Sequence, residues 1–425
     1  MCRSPLWCFW SLLSVLLLAC QPTLDAPISD SPTPPTTTNE ETEVIELIDP
    51  EDVDLRSCSA GVNAMAFNLW RAIDDLPDNA AISPTSISLA MSMVLAGARG
   101  DTAAELASAL GVEPDEETHR CWAGMLMKWE KAAESDDLEL AIANRLFGHQ
   151  GLPFEDDYIE FTRSFYRSAL TPLNLRGQPE PSRQAINQWV EEATRERIQD
   201  LLPPRSIDSN TTLVLVNAIY LLAKWEQAFS EDRTRPGTFT RTDQTTKQVP
   251  MMHQRAQFPY AAVDGHRLLE LPYGAGGLSM VILLPEAVDG LPALEERLDP
   301  ALLSSWMERL HPTEVEVVLP RFTIEETSVQ LVPAFRTLGV SHLFGAADLS
   351  AIIQGEPTTV SGIFHKTFVE VDEAGTEAAA ATAVVVSRSA AAPSHPVFSA
   401  DRPFFFLILD QQTETILFMG RVNDP

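Results

Sequence analysis

The chain of 425 residues lacks the local motifs of the common enzyme classes. It contains no Gly-x-Ser-x-Gly elbow, no His-Glu-x-x-His and no Walker loop. Its only glycine cluster, residues 274 to 277, is explained by a tight hairpin turn, because no helix pattern follows it as a phosphate cradle requires. Serine, histidine and aspartate residues could form a triad in principle, but nothing in their local sequence singles one out. The sequence therefore predicts no catalytic residue and no cofactor.

Positive charge is also scarce. Lysine and arginine total 30 against 60 aspartates and glutamates, which gives a formal net charge of -30. Long-range attraction to nucleic acid is therefore not expected, and neither is binding to an anionic polysaccharide such as heparin. Cationic proteins, proteases among them, would be attracted instead.

Cysteine is rare, with 5 residues in the chain. Cys2, Cys8 and Cys20 lie in the N-terminal segment, which leaves Cys58 and Cys121 for the rest. No Cys-x-x-Cys is present and the histidines are scattered, so no zinc or other metal site is predicted. The remaining pair could form one disulfide in an oxidising compartment, joining the start of the first helix to a helix at residues 117 to 130. The sequence leaves open whether it does.

The N-terminus has the features of a processing segment. Residues 1 to 19 are predicted to be a signal peptide, in which Arg3 precedes an apolar run. Leu-Leu-Ala-Cys at residues 17 to 20 resembles the lipobox of bacterial lipoproteins, so Cys20 is the predicted lipidation site. An ordinary signal peptide with an incidental cysteine is the alternative. No later stretch reaches the roughly 20 apolar residues that a bilayer requires. We therefore expect an exported protein, either anchored only by this lipid at the bacterial cell surface or periplasm, or secreted.

Residues 20 to 56 are rich in proline, threonine and carboxylates. Such a segment buries too little apolar surface to offset its ordering entropy, so we expect a disordered, extended tether. A length of 425 residues alone would suggest two or three domains. The composition of the rest, however, is compatible with one large domain over residues 57 to 425.

Helix patterns precede strand patterns along this domain. The helix candidates lie at residues 62 to 72, 86 to 98, 101 to 110 and 181 to 202. The strand candidates lie at residues 212 to 222, 268 to 271, 278 to 284, 314 to 319 and 362 to 371. No βαβ repetition is apparent, so the order predicts an α+β fold.

Residues 372 to 382 carry the most specific signal. The run Asp-Glu-Ala-Gly-Thr-Glu-Ala-Ala-Ala-Ala-Thr consists largely of small residues. In β geometry, alternate side chains share a face, and Glu377 would lie on the face opposite the small ones, which are Thr376, Ala378, Ala380 and Thr382. An alanine-rich helix is the alternative. The run resembles the hinge of the serpin reactive loop.

Three further segments carry the same resemblance. Residues 79 to 90 are similar to the Ser-Pro-x-Ser segment of serpins, and residues 215 to 225 to their central strand with its buried tryptophan. Residues 402 to 425, two apolar strands around a turn, resemble the serpin C-terminus. The resemblance spans residues 58 to 425. It implies a serpin fold, α+β, with about nine helices around three mostly antiparallel sheets and an exposed reactive loop at about residues 373 to 400. It also implies a monomer.

The resemblance assigns roles to individual residues. The shutter and breach positions are Ser83, Ser86, Asn217, Trp225, Arg321 and His365. The hinge positions are Glu373, Gly375, Thr376, Glu377, Ala378, Ala379, Ala380, Ala381 and Thr382. His365 would bridge Ser83 and Asn217, where the alternative is a strand histidine with one satisfied bond. Arg321 would pair with Glu373, where the alternative is an unpaired surface charge.

The implied activity is covalent inhibition of a serine protease. The protease cleaves the loop, and the hinge then inserts as a sheet strand before the acyl-enzyme is hydrolysed. The usual family spacing from Gly375 places the reactive bond at Ser389-Ala390. Arg388-Ser389, one residue earlier, suits a trypsin-like protease, and we favour it over an elastase-like target. Inhibition of a cysteine protease, or a non-inhibitory binding or chaperone role, is the alternative.

Overall fold

The computed structural model describes residues 53–168, 170–325, 328–355, 358–376 and 395–425. The predicted signal peptide, Cys20 and nearly all of the tether lie outside these ranges. The hinge from Glu377 to Thr382 and the candidate reactive bonds at Arg388, Ser389 and Ala390 also lie outside them.

Nine α-helices fall within the described ranges. They are α1 Arg56–Ala72, α2 Pro84–Gly97, α3 Gly100–Leu110, α4 Glu116–Ala132, α5 Asp156–Tyr166, α6 Pro179–Ala193, α7 Leu291–Arg297, α8 Pro300–Met307 and α9 Val332–Thr337. The start of α2 follows from its sequence, because the Ser83 side chain accepts the Ser86 N–H and Pro84 occupies the first turn. The helix predicted over 181 to 202 ends at Ala193 instead, since Arg195 and Glu196 adopt positive φ angles of 49° and 66°.

Sixteen strands are described. They are β1 Ala80–Ile82, β2 Leu138–His149, β3 Thr171–Leu173, β4 Leu213–Lys224, β5 Arg235–Thr240, β6 Thr246–Val263, β7 His266–Pro272, β8 Leu278–Pro285, β9 His311–Pro320, β10 Phe322–Glu325, β11 Val329–Gln330, β12 Val360–Val371, β13 Gly375–Thr376, β14 Val397–Ser399, β15 Phe404–Asp410 and β16 Thr415–Val422.

These strands form two hydrogen-bonded sheets where the resemblance implied three. The nine-stranded sheet has the order β1-β16-β15-β8-β7-β6-β9-β14, with β5 paired to β6. The single long strand β6, 18 residues, pairs with β5, β7 and β9 and joins what would otherwise be two separate sheets. The seven-stranded sheet has the order β10-β12-β13-β4-β2-β3, with β11 paired to β12. The α+β fold class is confirmed.

The C-terminal strands lie in the core of the nine-stranded sheet. β15 pairs antiparallel with both β16 and β8, and Phe404, Phe405 and Phe406 are fully buried. The prediction of two apolar strands around a turn at residues 410 to 413 is therefore confirmed. The burial of these three phenylalanines removes a large apolar area from water and holds β15 in the core.

A disulfide bond joins two helices of the domain. Cys58 of α1 is bonded to Cys121 of α4, and their Cα atoms are 6.1 Å apart. Within the ranges that the structure describes, no helix combines the length and the apolar character needed to cross a membrane.

Candidate functional site

The seven-stranded sheet is split at one end. β12 and β4 are parallel neighbours from the pair Val360 and Leu213 to the pair Phe368 and Tyr220. Beyond this point they separate, and β13 lies between them, antiparallel to both. The first residues of the predicted hinge therefore already occupy the sheet as a short wedge.

Gly375 is required by this wedge. A Cβ atom added there would lie 2.0 Å from the carbonyl oxygen of Ala223 and 2.7 Å from the Cα of Lys224. Both obstacles are backbone atoms, so they cannot move aside without disrupting β4. The close approach allows Gly375 and Thr376 to pair with Lys224 and Ala223.

A tight turn connects β12 to the wedge. The Asp372 carboxylate accepts the backbone N–H groups of Ala374 at 2.8 Å and Gly375 at 3.1 Å. The Asp372 N–H in turn donates to the Gly375 carbonyl at 2.9 Å. This local hydrogen bonding reverses the chain by the side-chain mechanism typical of aspartate in turns. It directs the following residues into the gap between β12 and β4.

Trp225 covers the turn. Its backbone N–H donates to the Ala374 carbonyl at 2.9 Å, and its indole N–H donates to the Asp372 carbonyl at 3.0 Å. Its ring stacks on Tyr273 with centroids 4.6 Å apart and an interplanar angle of 8°. The Tyr273 hydroxyl is 2.7 Å from the Thr376 hydroxyl, and Thr376 is fully buried. Thr376 thus faces the protein interior.

Glu373 is held in the same region by a charged pair. Its carboxylate accepts hydrogen bonds from Arg321 at 2.7 and 2.8 Å and from the Thr234 hydroxyl. Burial alone would raise the pKa of Glu373, but the hydrogen bonds from Arg321 and Thr234 outweigh it and lower the pKa. The carboxylate therefore stays ionised, and the pair fixes the start of the hinge against β10.

A second polar cluster lies further down the same strands. The Ser83 N–H donates to His365 Nε2 at 3.1 Å, and His365 Nδ1–H donates to the Asn217 side-chain oxygen. Asn217 donates to the Ser86 carbonyl at 2.8 Å. The cluster ties the start of α2 to β4 and β12. Complete burial lowers the pKa of His365 to about 3, so its imidazole is neutral at ordinary pH.

Asn144 of β2 is a member of this cluster that the sequence did not reveal. It lies directly opposite Asn217, accepts hydrogen bonds from Asn217 and from the Ser86 hydroxyl, and donates to the Ser86 carbonyl at 3.2 Å. The Ser168 hydroxyl donates to its backbone carbonyl at 2.6 Å. An asparagine within an otherwise mostly apolar strand was the available signal, because a buried amide requires partners.

The predicted residues lie in two separate clusters along the same strands. Thr376, Gly375, Glu373, Trp225 and Arg321 meet at the split end of the sheet. Further down, where β12 and β4 pair directly, lies the other group, which consists of Ser83, Ser86, Asn217 and His365. The arrangement suits a sheet that separates, since each cluster lies on the junction between β12 and β4. In the part of the chain that the structure describes, no group of histidine, cysteine and carboxylate side chains could hold a metal ion.

Known proteins resemble this chain over almost its whole domain. The family model for "Serpin (serine protease inhibitor)" matches residues 60–425. Human Serpin B3 is 38% identical over 393 residues, covering 87% of this chain and 100% of its own. The leukocyte elastase inhibitor of Equus caballus is 39% identical over 372 residues, covering 85% of this chain and 97% of its own. The structure of uncleaved ovalbumin superposes with a TM-score of 0.78 at 30% identity, covering 87% of this chain and 100% of ovalbumin.

Proposed function

Because the chain belongs to the serpin family, we propose that it is a single-use covalent inhibitor of a serine protease. The protease attacks the loop and forms an acyl-enzyme. The hinge then inserts between β12 and β4 and displaces the bound protease before water completes hydrolysis. The residues of the loop and the hinge act as substrate and moving strand, without a catalytic role.

One observation carries this proposal, namely that β13 already lies between β12 and β4. Insertion would extend this wedge along the junction, where it must replace the direct pairing between β12 and β4. The residues after Thr376 are compatible with this extension, because residues 378 to 382 contain only alanine and threonine. A bulky, charged or proline residue on the inward face would oppose it. From Thr376 to Thr382 the only charged residue is Glu377, which strand alternation would place on the opposite face.

Within this proposal, the reactive bond is Arg388-Ser389 and the target is a trypsin-like protease. An arginine in the acidic pocket of such an enzyme gains a paired charge, and the excess of carboxylates on the inhibitor attracts a cationic protease. Cleavage at Ser389-Ala390 would redirect the target to elastase-like proteases.

Incubation with trypsin and with elastase, separately, tests the proposal. We expect an SDS-stable complex with trypsin, and mass spectrometry of the released fragment should find Ser389 at its N-terminus. A fragment that begins at Ala390 would instead assign the pocket to Ser389. Cleavage by both enzymes without a stable complex would indicate a non-inhibitory serpin with a binding or chaperone role.

The N-terminal assignments are a separate part of the proposal and rest on sequence alone. A signal peptide over residues 1 to 19 and a lipid on Cys20 would place a monomeric domain, residues 57 to 425, on a tether outside the cytoplasm. Two or three acyl chains give stable membrane association, where one is marginal. Cys20→Ser should therefore move the protein from the membrane fraction to the soluble fraction. Equal membrane association of both proteins would contradict lipidation.

A further inference from the structure

A cleft of about 710 Å³ lies where the ends of four helices meet. The C-terminal end of α2 and the N-terminal parts of α3, α4 and α5 form its walls, and no strand of the described ranges lines it. Part of the wall is apolar or aromatic and includes Leu95, Ala103, Tyr158 and Phe161. The volume is typical of protein sites that bind small molecules, and the apolar part favours a ligand with hydrocarbon groups.

Carboxylates from two helices line the cleft beside its apolar part. Asp115 and Glu116 lie at the start of α4, and Glu155 and Asp157 lie at the start of α5. Arg99 also lines the cleft, and its guanidinium donates to two carbonyl groups at the end of α2, at 2.7 and 3.0 Å. These four carboxylates and one guanidinium give the lining a formal charge of -3. The cleft therefore attracts cations.

Hydrogen bonding within the helices occupies only one of these carboxylates. Asp115 caps α4, because its side chain accepts the Thr118 N–H at 3.0 Å. The side chains of Glu116, Glu155 and Asp157 have no hydrogen bond or ion pair within the described ranges. Each of the three stabilises its helix only through the favourable position of a negative charge at a helix N-terminus. They can therefore bind a ligand without losing a partner.

A buried histidine lines the same cleft. His119 is 7% exposed, and its Nδ1 is hydrogen-bonded to the Tyr166 hydroxyl. Its Nε2 has no hydrogen-bond partner among the described residues, and a buried nitrogen without a partner is costly. Burial lowers the pKa of His119 to about 4, so the ring is neutral at ordinary pH. When Nδ1–H donates to Tyr166, Nε2 is left as an acceptor for a donor group in the cleft.

The arrangement of these groups favours an extended cation over a compact one. In the described part of the chain, no group of histidine, cysteine and carboxylate side chains could hold a metal ion, so the carboxylates of the cleft do not converge on one point. A compact cation would contact only part of this charge, whereas an extended cation with several charges can contact carboxylates of both helices. Hydrocarbon segments between its charges would cover the apolar wall.

We propose that this cleft binds a linear polyamine such as spermidine. Its ammonium groups bind Glu116 on α4 and Glu155 and Asp157 on α5, and its methylene groups lie against the apolar wall. One ammonium group donates to Nε2 of His119, and a charge over the Phe161 ring gains a cation–π contact. The three positive charges of spermidine match the formal charge of the lining. This binding is independent of the proposed inhibition, because the hinge and the junction between β12 and β4 contribute no residue to the cleft.

Titration calorimetry of the full chain with spermidine tests the site, with hexaamminecobalt(III) as the control ligand. The cobalt complex carries the same charge as spermidine but is compact and has no methylene groups. At about 0.15 M salt, which screens the long-range charge of the protein, we expect saturable one-to-one binding of spermidine. The cobalt complex should bind about tenfold more weakly, which corresponds to the burial of two methylene groups.

Two double variants separate the cleft from the charge of the whole protein. Glu116→Gln with Asp157→Asn removes two charges from the cleft and should weaken spermidine by about tenfold. Glu117→Gln with Asp156→Asn is the matched control, because both residues are exposed in the same helix turns and neither lines the cleft. It lowers the net charge and the charge at the helix N-termini equally. It should bind spermidine within about twofold of the wild type.

A third variant blocks the cleft without changing its charge. Ala103→Phe places a ring in the cleft and should abolish spermidine binding, whereas Ala104→Phe, at an exposed position outside the lining, should not. If Ala103→Phe fails to fold, the two double variants still decide the question. Absence of saturable binding, equal binding of the two cations, or equal weakening in the two double variants would overturn the site. The last two results would assign spermidine binding to the overall negative charge of the protein.

Discussion

At the residue scale, single side chains determine how far the hinge enters the sheet. Gly375 is there because backbone atoms of β4 leave no room for a Cβ. Thr376 is fully buried and hydrogen-bonds to Tyr273. The sequence alone predicted the inward face of Thr376 from alternation. It could not predict the partner, because Tyr273 is distant in the chain and meets Thr376 only through the packing of β13 against Trp225.

Thr376→Arg should convert the protein from an inhibitor into a substrate. A charged side chain forced into the sheet costs several kcal/mol unless it is paired, so insertion slows and hydrolysis of the acyl-enzyme prevails. The measurement is the fraction of covalent complex against cleaved protein on a denaturing gel. Thr376→Ser, which keeps the hydroxyl, is the control and should retain complex formation. Undiminished complex with the arginine variant would count against insertion at this position.

His365 should make stability depend on pH below neutrality. Burial lowers its pKa to about 3 in the folded protein, while the unfolded chain has the ordinary value of 6.5. Between these values the unfolded state binds the extra proton, so the contribution of His365 to stability is complete above pH 6.5 and is lost as the pH falls. The loss is about 2 kcal/mol by pH 5.

The measurement is the denaturant midpoint of the wild type and of His365→Gln from pH 8 to pH 5. His119, whose pKa burial lowers to about 4, contributes to both proteins alike, so their difference isolates His365. The difference should shrink as the pH falls. Parallel curves would show that His365 does not titrate in this way.

At the element scale, the sequence predicted those helices and strands whose ends or burial follow from their own local residues. Ser83 and Pro84 define the start of α2, and the apolar runs of β15 and β16 define the C-terminal pair. Two differences from the expectations have physical causes. The end of α6 is set by left-handed residues that no local rule requires. The long strand β6 pairs with β5, β7 and β9, so the described strands form two hydrogen-bonded sheets where the resemblance implied three. Asn144 was missed because its role depends on a cross-strand partner.

The bridge between α1 and α4 gives a prediction at this scale. Cys58 and Cys121 close a loop across a sequence separation of 63 residues. By restricting the unfolded chain, such a cross-link raises the free energy of unfolding by about 2 to 5 kcal/mol. Cys58→Ala should therefore lower the denaturant midpoint of the oxidised protein. Dithiothreitol should lower the midpoint of the wild type towards that of Cys58→Ala and leave the variant unchanged. Sensitivity of the variant to dithiothreitol would point to another disulfide.

At the scale of the whole molecule, the junction between β12 and β4 is the place where the sheet is only partly filled by a third strand. The wedge of β13 covers two residues, while β12 and β4 remain paired below it. Under the proposed function, the native state is kept from the inserted state by a barrier. The lifetime of the native state is then set by the rate at which that barrier is crossed, and equilibrium stability does not determine it.

Cleavage of the loop anywhere from residue 384 to 389 should raise the melting temperature sharply. An ordinary fold loses stability when it is nicked, whereas here the freed strand can complete the sheet. Differential scanning calorimetry before and after clean cleavage measures the change, and Thr376→Arg cleaved in the same way is the control that should gain less. An unchanged melting temperature for the wild type would favour the non-inhibitory role.

The direction of the strands at this junction has one more consequence. β12 and β4 run parallel, and β13 runs antiparallel to each. Under the proposed function, each residue pair that the inserting strand separates exchanges one parallel ladder for two antiparallel ladders, whose pairing is slightly more stable per residue. Insertion beyond the two residues of β13 would then form more backbone hydrogen bonds than it breaks, once the direct pairing of β12 and β4 has opened. Strand polarity would in this way favour the inserted state and oppose a return to the native one.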